Sequence, residues 1–411
     1  MKKRGLLTTC VTGAVFSLLL LTLFVPYGEA KEKYVTYLSL ADYTGPIAGL
    51  NVPGDQGCSD YFKYLNEKGG VNGVKIEFIG VDTRYDIARG VSAYKRYRKA
   101  HKLLVVNPIN TAVVRALYPL IKKDNLLTLA TIDGEFQANI GRAFLWGPPY
   151  QDTFAATLDW MVKDWKDKRK SGMPKVGYMA WDSAGGRESL RGGKEYAEKL
   201  GVTLLTPEFF PPGTLKHDVY LNRLADAGAN YIYLTGVIDP TPTNIIRDAC
   251  ALGLTKNIQF ICDQWGPTES VGIRAHPEVV EGVIIASFLI RGAEIQRHPL
   301  AKKLWTKYHK NPITDINELY GVGMTWAMNF EAALKIALKE VGYEKLDAEA
   351  MYRAYQKLTG NDLKGLIGPC AYGPKSRRGS TDVKFYQVKG GKVIPITKWR
   401  KAPDAVALYK W

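Results

Sequence analysis

The fold is decided by a pattern that is first seen in the stretch YVTYLSLADYTGP, residues 34–46. Residues 35–40 form a short apolar, β-prone run, which predicts a buried strand. Residues 42–46 carry a carboxylate, two hydroxyls, Gly and Pro, and such residues end a strand in a polar loop. This combination of strand and polar loop recurs along the chain, with amphipathic segments between. The alternation predicts an α/β fold with mostly parallel sheets and helices on both faces.

Periodicity places the elements along the chain. Strands are predicted at 35–40, 74–79, 103–106, 126–130, 176–180, 202–207, 231–235, 258–262, 283–288 and 383–388. Helices are predicted at 60–67, 112–123, 153–165, 188–200, 219–227, 299–309 and 319–341. The alternation breaks at 143–152, after 283–288 and at 365–380. We therefore predict two lobes joined by three crossovers, with lobe 1 at 31–146 plus 290–375 and lobe 2 at 147–289 plus 380–411.

The first thirty residues have the composition of a secretory signal peptide. Three cations at 2–4 precede an apolar stretch at 6–25, and Gly28 and Ala30 are small residues at positions −3 and −1 of a cleavage site. We predict cleavage after Ala30 and a periplasmic or otherwise extracytoplasmic location. A retained membrane anchor is the alternative, because the apolar run is nearly long enough to span a bilayer.

Composition excludes several classes of protein. The chain has 411 residues, of which 46% are hydrophobic and 23% charged, so it can bury a sizeable core. The net charge is +16, but the cations are scattered over helix faces, and no nucleic-acid partner is expected. The five histidines are scattered and no CxxC spacing exists, so no metal is expected. Catalytic and cofactor motifs are missing, so we predict neither an enzyme nor a cofactor. The short run 321–323, Gly-Val-Gly, is interpreted as a helix-packing site.

Polar loops follow the predicted strands, and ligands of open parallel sheets bind outside the carboxyl ends of the strands. These loops lie at 42–46, 107–111, 131–133, 181–183, 235–239 and 263–265. From them we select the ligand-binding candidates Tyr43, Asn110, Thr111, Thr131, Ile132, Asp133, Trp181, Asp239, Asp263 and Trp265. Thr111 precedes a helical segment, so its hydroxyl and the helix N-terminus suit a carboxylate. The alternative is that Thr111 and Asp133 are only N-caps and that Trp181 and Trp265 belong to the core.

The chain resembles the periplasmic binding proteins of branched-chain amino acid ABC transporters, which have the type I fold. The markers are TGPIA at 44–48, LNEKGGVNG at 65–73, Asp82, and Gly-Val at 282–283. The resemblance covers nearly all of 31–395 and implies two Rossmann-like lobes that close on a small ligand. It also implies that the Asn110-Thr111 loop contacts the ligand carboxylate, that 130–133 adds backbone contacts, and that Asp263 pairs with the ligand ammonium.

Three positions depart from the family pattern. Leu50, Gly185 and the Val-Ile pair at 237–238 stand where the family often has aromatic residues. A leucine-type amino acid is therefore not favoured, and Trp181 and Trp265 are expected to shape the pocket for a different small acid, amide or aromatic compound.

Four cysteines remain after the predicted cleavage, and they allow three pairings. If disulfides form, we expect pairing within a lobe, Cys58 with Cys370 and Cys250 with Cys262. The alternative is four buried free thiols, since Cys packs well as a small hydrophobe.

These observations predict an extracytoplasmic solute-binding protein of an ABC importer. It would bind a small amino acid or a related carboxylate, amide or aromatic acid between the lobes and deliver it to a membrane permease. The alternative is a ligand-sensing binding protein that acts on a signalling receptor. We expect a monomer.

Overall fold

The computed structural model describes residues 32–168 and 170–411. The predicted signal peptide, residues 1–30, lies outside the described residues. Within those two ranges, no helix combines the length and the apolarity needed to cross a membrane.

Lobe 1 is built on a five-stranded parallel sheet. Its elements are β1 (Lys33–Ala41), α1 (Ala48–Glu67), β2 (Val74–Asp82), α2 (Ile87–Tyr97), β3 (Leu103–Pro108), α3 (Thr111–Lys123), β4 (Leu127–Ala130), α4 (Glu135–Ala138) and β5 (Ala143–Leu145). The strand order is β2-β1-β3-β4-β5, and the register places Leu38 beside Ile79 and Val106.

Lobe 2 is built on a second, mostly parallel sheet. It begins with α5 (Tyr150–Asp167), β6 (Lys175–Trp181), α6 (Ala184–Glu188), α7 (Leu190–Leu200), β7 (Thr203–Leu204), β8 (Glu208–Phe210), α8 (Asp218–Asp226), β9 (Tyr231–Thr235), α9 (Thr241–Ala251), β10 (Gln259–Cys262), α10 (Gly272–Ala275) and β11 (Ile284–Ser287). The chain then forms α11 (Ala293–Arg297), α12 (Pro299–Tyr308), α13 (Glu318–Val341) and α14 (Ala348–Tyr355), and ends with β12 (Asp382–Lys389), β13 (Lys392–Pro395) and β14 (Arg400–Lys401). The order of the sheet is β13-β12-β11-β10-β9-β6-β7, with β8 on β6 and β14 on β12.

The chain passes between the two lobes three times. It leaves lobe 1 after β5, returns after β11 to the helices α11–α14 that pack with lobe 1, and crosses again to β12, which pairs antiparallel to β11. The predicted fold of two Rossmann-like lobes with three crossovers is thus confirmed, whereas the residue boundaries given above for the lobes stay a prediction.

Helices α1 and α13 pack closely because glycines remove the side chains between them. A Cβ at Gly323 would overlap the carbonyl oxygen of Gly54, and one at Gly57 would overlap that of Tyr320. The interpretation of 321–323 as a helix-packing site is therefore confirmed. The same contact explains why α1 begins at Ala48 and not at residue 60: its first half contains Gly and Pro53, which disfavour a helix locally, but burial against α13 outweighs that propensity.

The expected disulfides do not form. In the described part of the chain the four cysteines are free thiols, with Cys58, Cys262 and Cys370 buried and Cys250 exposed. Burial raises the pKa of the Cys58 and Cys262 thiols. Cys262 ends a buried strand, while Cys250 faces solvent near the end of α9, so the two side chains lie in different environments. The alternative of free thiols is correct, except that one of them is not buried.

Candidate functional site

A cavity of about 240 Å³ lies where loops at the carboxyl ends of strands from both lobes meet. Its lobe 1 side is formed by Ile47, Leu50, Tyr85, Ile87, Ile109, Asn110, Thr111, Ala112, Thr131 and Trp146. Its other side is formed by Tyr150, Trp181, Ser183, Ala184, Gly185, Gly236, Ile238 and Trp265. Five of the ten sequence-predicted site residues are among them: Asn110, Thr111, Thr131, Trp181 and Trp265.

The N-terminus of α3 forms the polar part of the lobe 1 wall. Asn110 is the N-cap, since its Oδ1 accepts hydrogen bonds from the backbone N–H groups of Ala112 (2.8 Å) and Val113 (3.3 Å). Thr111 therefore does not cap the helix. Its Oγ1 instead lies 2.7 Å from Oγ1 of Thr131, which follows β4, and the two hydroxyls present a small polar patch to the cavity.

Aromatic side chains form the remaining wall. Trp265 Nε1 donates a hydrogen bond of 2.7 Å to the Tyr150 hydroxyl. The ring of Trp146 meets that of Trp265 nearly at a right angle, with 6.4 Å between centroids. Burial raises the pKa of Tyr150, so its phenol is protonated and keeps a proton to donate. Sequence reasoning missed Trp146 and Tyr150, which flank the Gly-Pro-Pro of the first crossover. The signal that could have identified them as wall residues was the pair of aromatic side chains beside that break.

Three lobe 1 candidates lie outside the cavity lining. The Tyr43 hydroxyl donates to Asp55 Oδ2 at 2.6 Å, beneath the β1–α1 loop. Ile132 is fully buried and contributes its carbonyl, which accepts from the Tyr150 N–H at 2.9 Å. The Asp133 carboxylate is buried and accepts from Arg115 Nε at 2.7 Å.

The two lobe 2 aspartates are also absent from the lining, because backbone and hydroxyl donors of their own lobe occupy their oxygens. Asp263 accepts from the Thr235 hydroxyl (2.7 Å), from the Gly236 N–H (3.0 Å) and from the Trp265 N–H (2.9 Å). Its burial raises its pKa to about 6. Asp239 is held in the same way by donors that include the Thr268 N–H at 2.6 Å. Asp263 is therefore not placed as the ammonium partner that the family resemblance implied.

The lining carries no counter-charge for an ammonium group. Of the described residues that line the cavity, none is Asp, Glu, Lys, Arg or His. Asn110 Nδ2 and Trp181 Nε1 have no hydrogen-bond partner within the described part of the chain, but neither atom has accessible surface, so neither presents its protons to the cavity. Asn110 is 5% exposed and Trp181 is 4% exposed. The arrangement thus offers donors and apolar surface, which suits an acceptor-rich ligand with an apolar body.

An ion-pair network, which sequence reasoning did not find, joins the lobes beside the cavity. Arg115 of α3 pairs with Asp133 of its own lobe and with Glu188 of α6 in lobe 2. Gln151 donates to the other Glu188 oxygen at 3.1 Å. Burial and the nearby Asp133 charge raise the pKa of Glu188 to about 8, although the positive charge of Arg115 acts to lower it. This network is a contact that a change in lobe separation would break.

Two Rossmann-like lobes around a cavity at their strand ends define a two-lobed ligand-binding protein. Residues 39–392 match the periplasmic binding protein family, and the chain belongs to that family. Membership places the protein outside the cytoplasm and makes it a binding protein rather than an enzyme.

A curated relative and several solved structures are similar to the chain. It is 23% identical over 215 residues to Leu/Ile/Val-binding protein homolog 3 of Brucella melitensis, a match that covers 52% of this chain and 57% of that protein. A branched-chain amino acid ABC transporter protein of Thermus thermophilus with bound valine has a TM-score of 0.81 at 22% identity, covering 91% of this chain and 98% of that one. An R. palustris solute-binding protein in complex with benzoate has a TM-score of 0.73 at 16% identity, covering 90% and 98%. At these identities the structures establish the fold alone.

Proposed function

We propose that the protein is the solute-binding component of an ABC importer, and that it binds a small organic acid between its lobes and delivers it to a membrane permease. The observation that carries this proposal is the cavity at the strand ends of both lobes, with two hydroxyls at the N-terminus of α3. Proteins of similar structure hold valine and benzoate, each of which bears a carboxylate.

The carboxylate is proposed to bind at the N-terminus of α3. Thr111 and Thr131 are 2.7 Å apart and share one hydrogen bond, so one hydroxyl proton remains for a ligand oxygen. The positive end of the helix dipole favours an anion there. Gly185 of lobe 2 lies opposite: a Cβ placed on it would be 3.7 Å from Thr111 Oγ1, so the lobes approach each other closely at this point.

The test begins with thermal-shift and calorimetric titration against L-valine, L-leucine, benzoate, 3-phenylpropionate and octanoate. At least one should bind, and a ligand at 100 times Kd stabilises the protein by about 2.7 kcal/mol. Thr111→Ala should weaken binding of that compound about ten- to a hundredfold, because a hydrogen bond to a charged group contributes about 1.5–3 kcal/mol.

Thr157→Ala is the matched control for Thr111→Ala. It also removes a buried threonine hydroxyl from a helix, but that hydroxyl bonds the Thr153 carbonyl and is not part of the cavity. The control should retain full affinity. The site assignment fails if Thr111→Ala binds as tightly as Thr157→Ala, and the binding function fails if no compound of the panel binds the wild type.

Delivery is tested in cells that lack the protein, by uptake of the radiolabelled ligand. Uptake should fall and should return when the gene is restored. Unimpaired uptake together with a lost transcriptional response to the ligand would instead support the sensing alternative. Cleavage after Ala30 predicts that the exported protein begins at Lys31, which N-terminal sequencing checks. Light scattering after size exclusion tests the proposed monomer.

A further inference from the structure

The cavity has more hydrogen-bond donors than the protein itself uses. Tyr150 accepts from Trp265 through its oxygen, which leaves its own proton free. The Thr111 and Thr131 hydroxyls share one hydrogen bond, which leaves one of their two protons free. Buried polar groups in native proteins are almost always paired. These donors therefore indicate a ligand that brings acceptors to them.

The described lining also lacks a charged acceptor for a cation. None of the described lining residues carries a carboxylate. Asp263 and Asp239 accept hydrogen bonds from donors of lobe 2 and lie outside the lining, and Asp133 and Glu188 are paired with Arg115. A buried ammonium without a carboxylate partner is strongly disfavoured, since desolvation of a charge is costly unless it is paired.

The apolar part of the lining is suited to a flat ligand. Trp146, Tyr150, Trp181 and Trp265 all line the cavity, and aromatic rings pack favourably edge-to-face or offset against one another. The volume of about 240 Å³ is below the roughly 300–1,000 Å³ of sites for drug-sized ligands. The ligand body is therefore small, on the scale of one ring with a short chain.

We propose that the natural ligand class is a small aromatic monocarboxylate that lacks an α-ammonium group, with its carboxylate at Thr111 and its ring among the tryptophans. This inference rests on the proposed function and narrows it: the site rejects α-amino acids because it offers no acceptor charge for their ammonium group.

Matched pairs of compounds test it by calorimetric titration of the wild type. L-phenylalanine and 3-phenylpropionate differ only in the ammonium group, as do L-leucine and 4-methylpentanoate. In each pair the acid without the amino group should bind at least about tenfold more tightly, a difference of 1.4 kcal/mol. 3-Phenylpropionate should also bind more tightly than 4-methylpentanoate, and benzamide more weakly than benzoate.

The outcomes separate the inference from the proposed function. If L-phenylalanine or L-leucine binds as tightly as its partner acid, the inference is overturned while a solute-binding function stands. If 4-methylpentanoate binds better than 3-phenylpropionate, the aromatic part is overturned. If no compound of the four binds, and none of the wider panel does, the proposed function fails and the inference with it.

A variant provides the reciprocal test. Ile238 lines the cavity next to Asp239 and is only half-buried, so a polar side chain can be accommodated there. Ile238→Asp supplies the missing acceptor charge, and Ile238→Asn is its uncharged control. The ratio of L-phenylalanine affinity to 3-phenylpropionate affinity should rise at least about tenfold in the Asp variant over the Asn variant. An unchanged ratio in two folded variants counts against the inference; should the Asp variant fail to fold, the matched pairs on the wild type decide.

Discussion

Replacement of Arg115 should both destabilise the protein and open the lobes. Arg115 holds two carboxylates, of which the Asp133 side chain is 0% exposed and the Glu188 side chain 1% exposed. Breaking a buried ion pair by removing one partner costs about 3–5 kcal/mol, because the other charge, here that of Asp133, stays buried without compensation. Arg115 itself is 27% exposed, so solvent screens part of the interaction and the lower end of that range, about 3 kcal/mol, is expected for Arg115→Met.

Glu188→Gln should be much milder. The raised pKa of Glu188 favours its protonated form near neutral pH, and Gln is an uncharged analogue of that form. Arg115 also keeps Asp133 as a partner. We expect a loss below about 1.5 kcal/mol, comparable to one hydrogen bond. The double variant should lose less than the sum of the two single variants, with a coupling of about 0.5–3 kcal/mol, because each single change already removes the same Arg115–Glu188 contact.

Urea denaturation gives the free energies, and small-angle scattering of the unliganded protein gives the radius of gyration. Arg115→Met should raise the radius of gyration, since the lost pair joins α3 of lobe 1 to α6 of lobe 2. Arg187→Met is the control: its pair with Asp182 lies within lobe 2 with both side chains about half exposed, so less than about 1 kcal/mol is expected. Equal stability losses in Arg115→Met and Arg187→Met, or an unchanged radius of gyration, would refute the reasoning.

Three further predictions concern packing, pH and thiol reactivity. Gly323→Ala should lose about 1–3 kcal/mol in urea denaturation, because its Cβ meets the α1 backbone. A Cβ at Gly321 meets only side-chain ends, those of Ile295 at 3.1 Å and Leu366 at 3.6 Å, so Gly321→Ala should be nearly neutral. Equal effects would contradict the close α1–α13 contact. Burial raises the pKa of Asp55 from 3.8 to about 7. Between pH 4 and pH 7, folded Asp55 therefore holds a proton that the unfolded chain has lost. The stability of the wild type relative to Asp55→Asn should fall by up to about 1.4 kcal/mol per pH unit as the pH rises across this range. A pH-independent difference would show that Asp55 titrates normally. In the native protein without residues 1–30, a thiol reagent should modify Cys250 alone and should reach Cys58, Cys262 and Cys370 only after denaturation. If mass spectrometry of the unreduced protein instead showed a mass two units below that of the reduced chain, a disulfide would be present.

The sequence by itself determined the alternation of strands and helices and the end of the sheets where the cavity lies. β9 was predicted at 231–235 and is observed at Tyr231–Thr235, because a β-branched and aromatic run between polar turns carries its own signal. The same pattern predicts Thr111, Thr131, Trp181 and Trp265 as site residues, and all four line the cavity. The reason is that the carboxyl ends of parallel strands meet at one edge of a sheet.

Only the tertiary structure decided which polar groups remain free at that edge. Asp263 and Thr111 both follow buried strands, yet the Asp263 oxygens are occupied by the Thr235 hydroxyl and two backbone N–H groups, while Asn110 takes the capping role and leaves Thr111 in the cavity. Tyr150 enters the wall through the fold of a crossover that the sequence marks only as a break. Local sequence specifies strands and caps through short-range sterics and hydrogen bonding, whereas the assignment of donors to acceptors depends on which segments, distant in the chain, the packed lobes bring together.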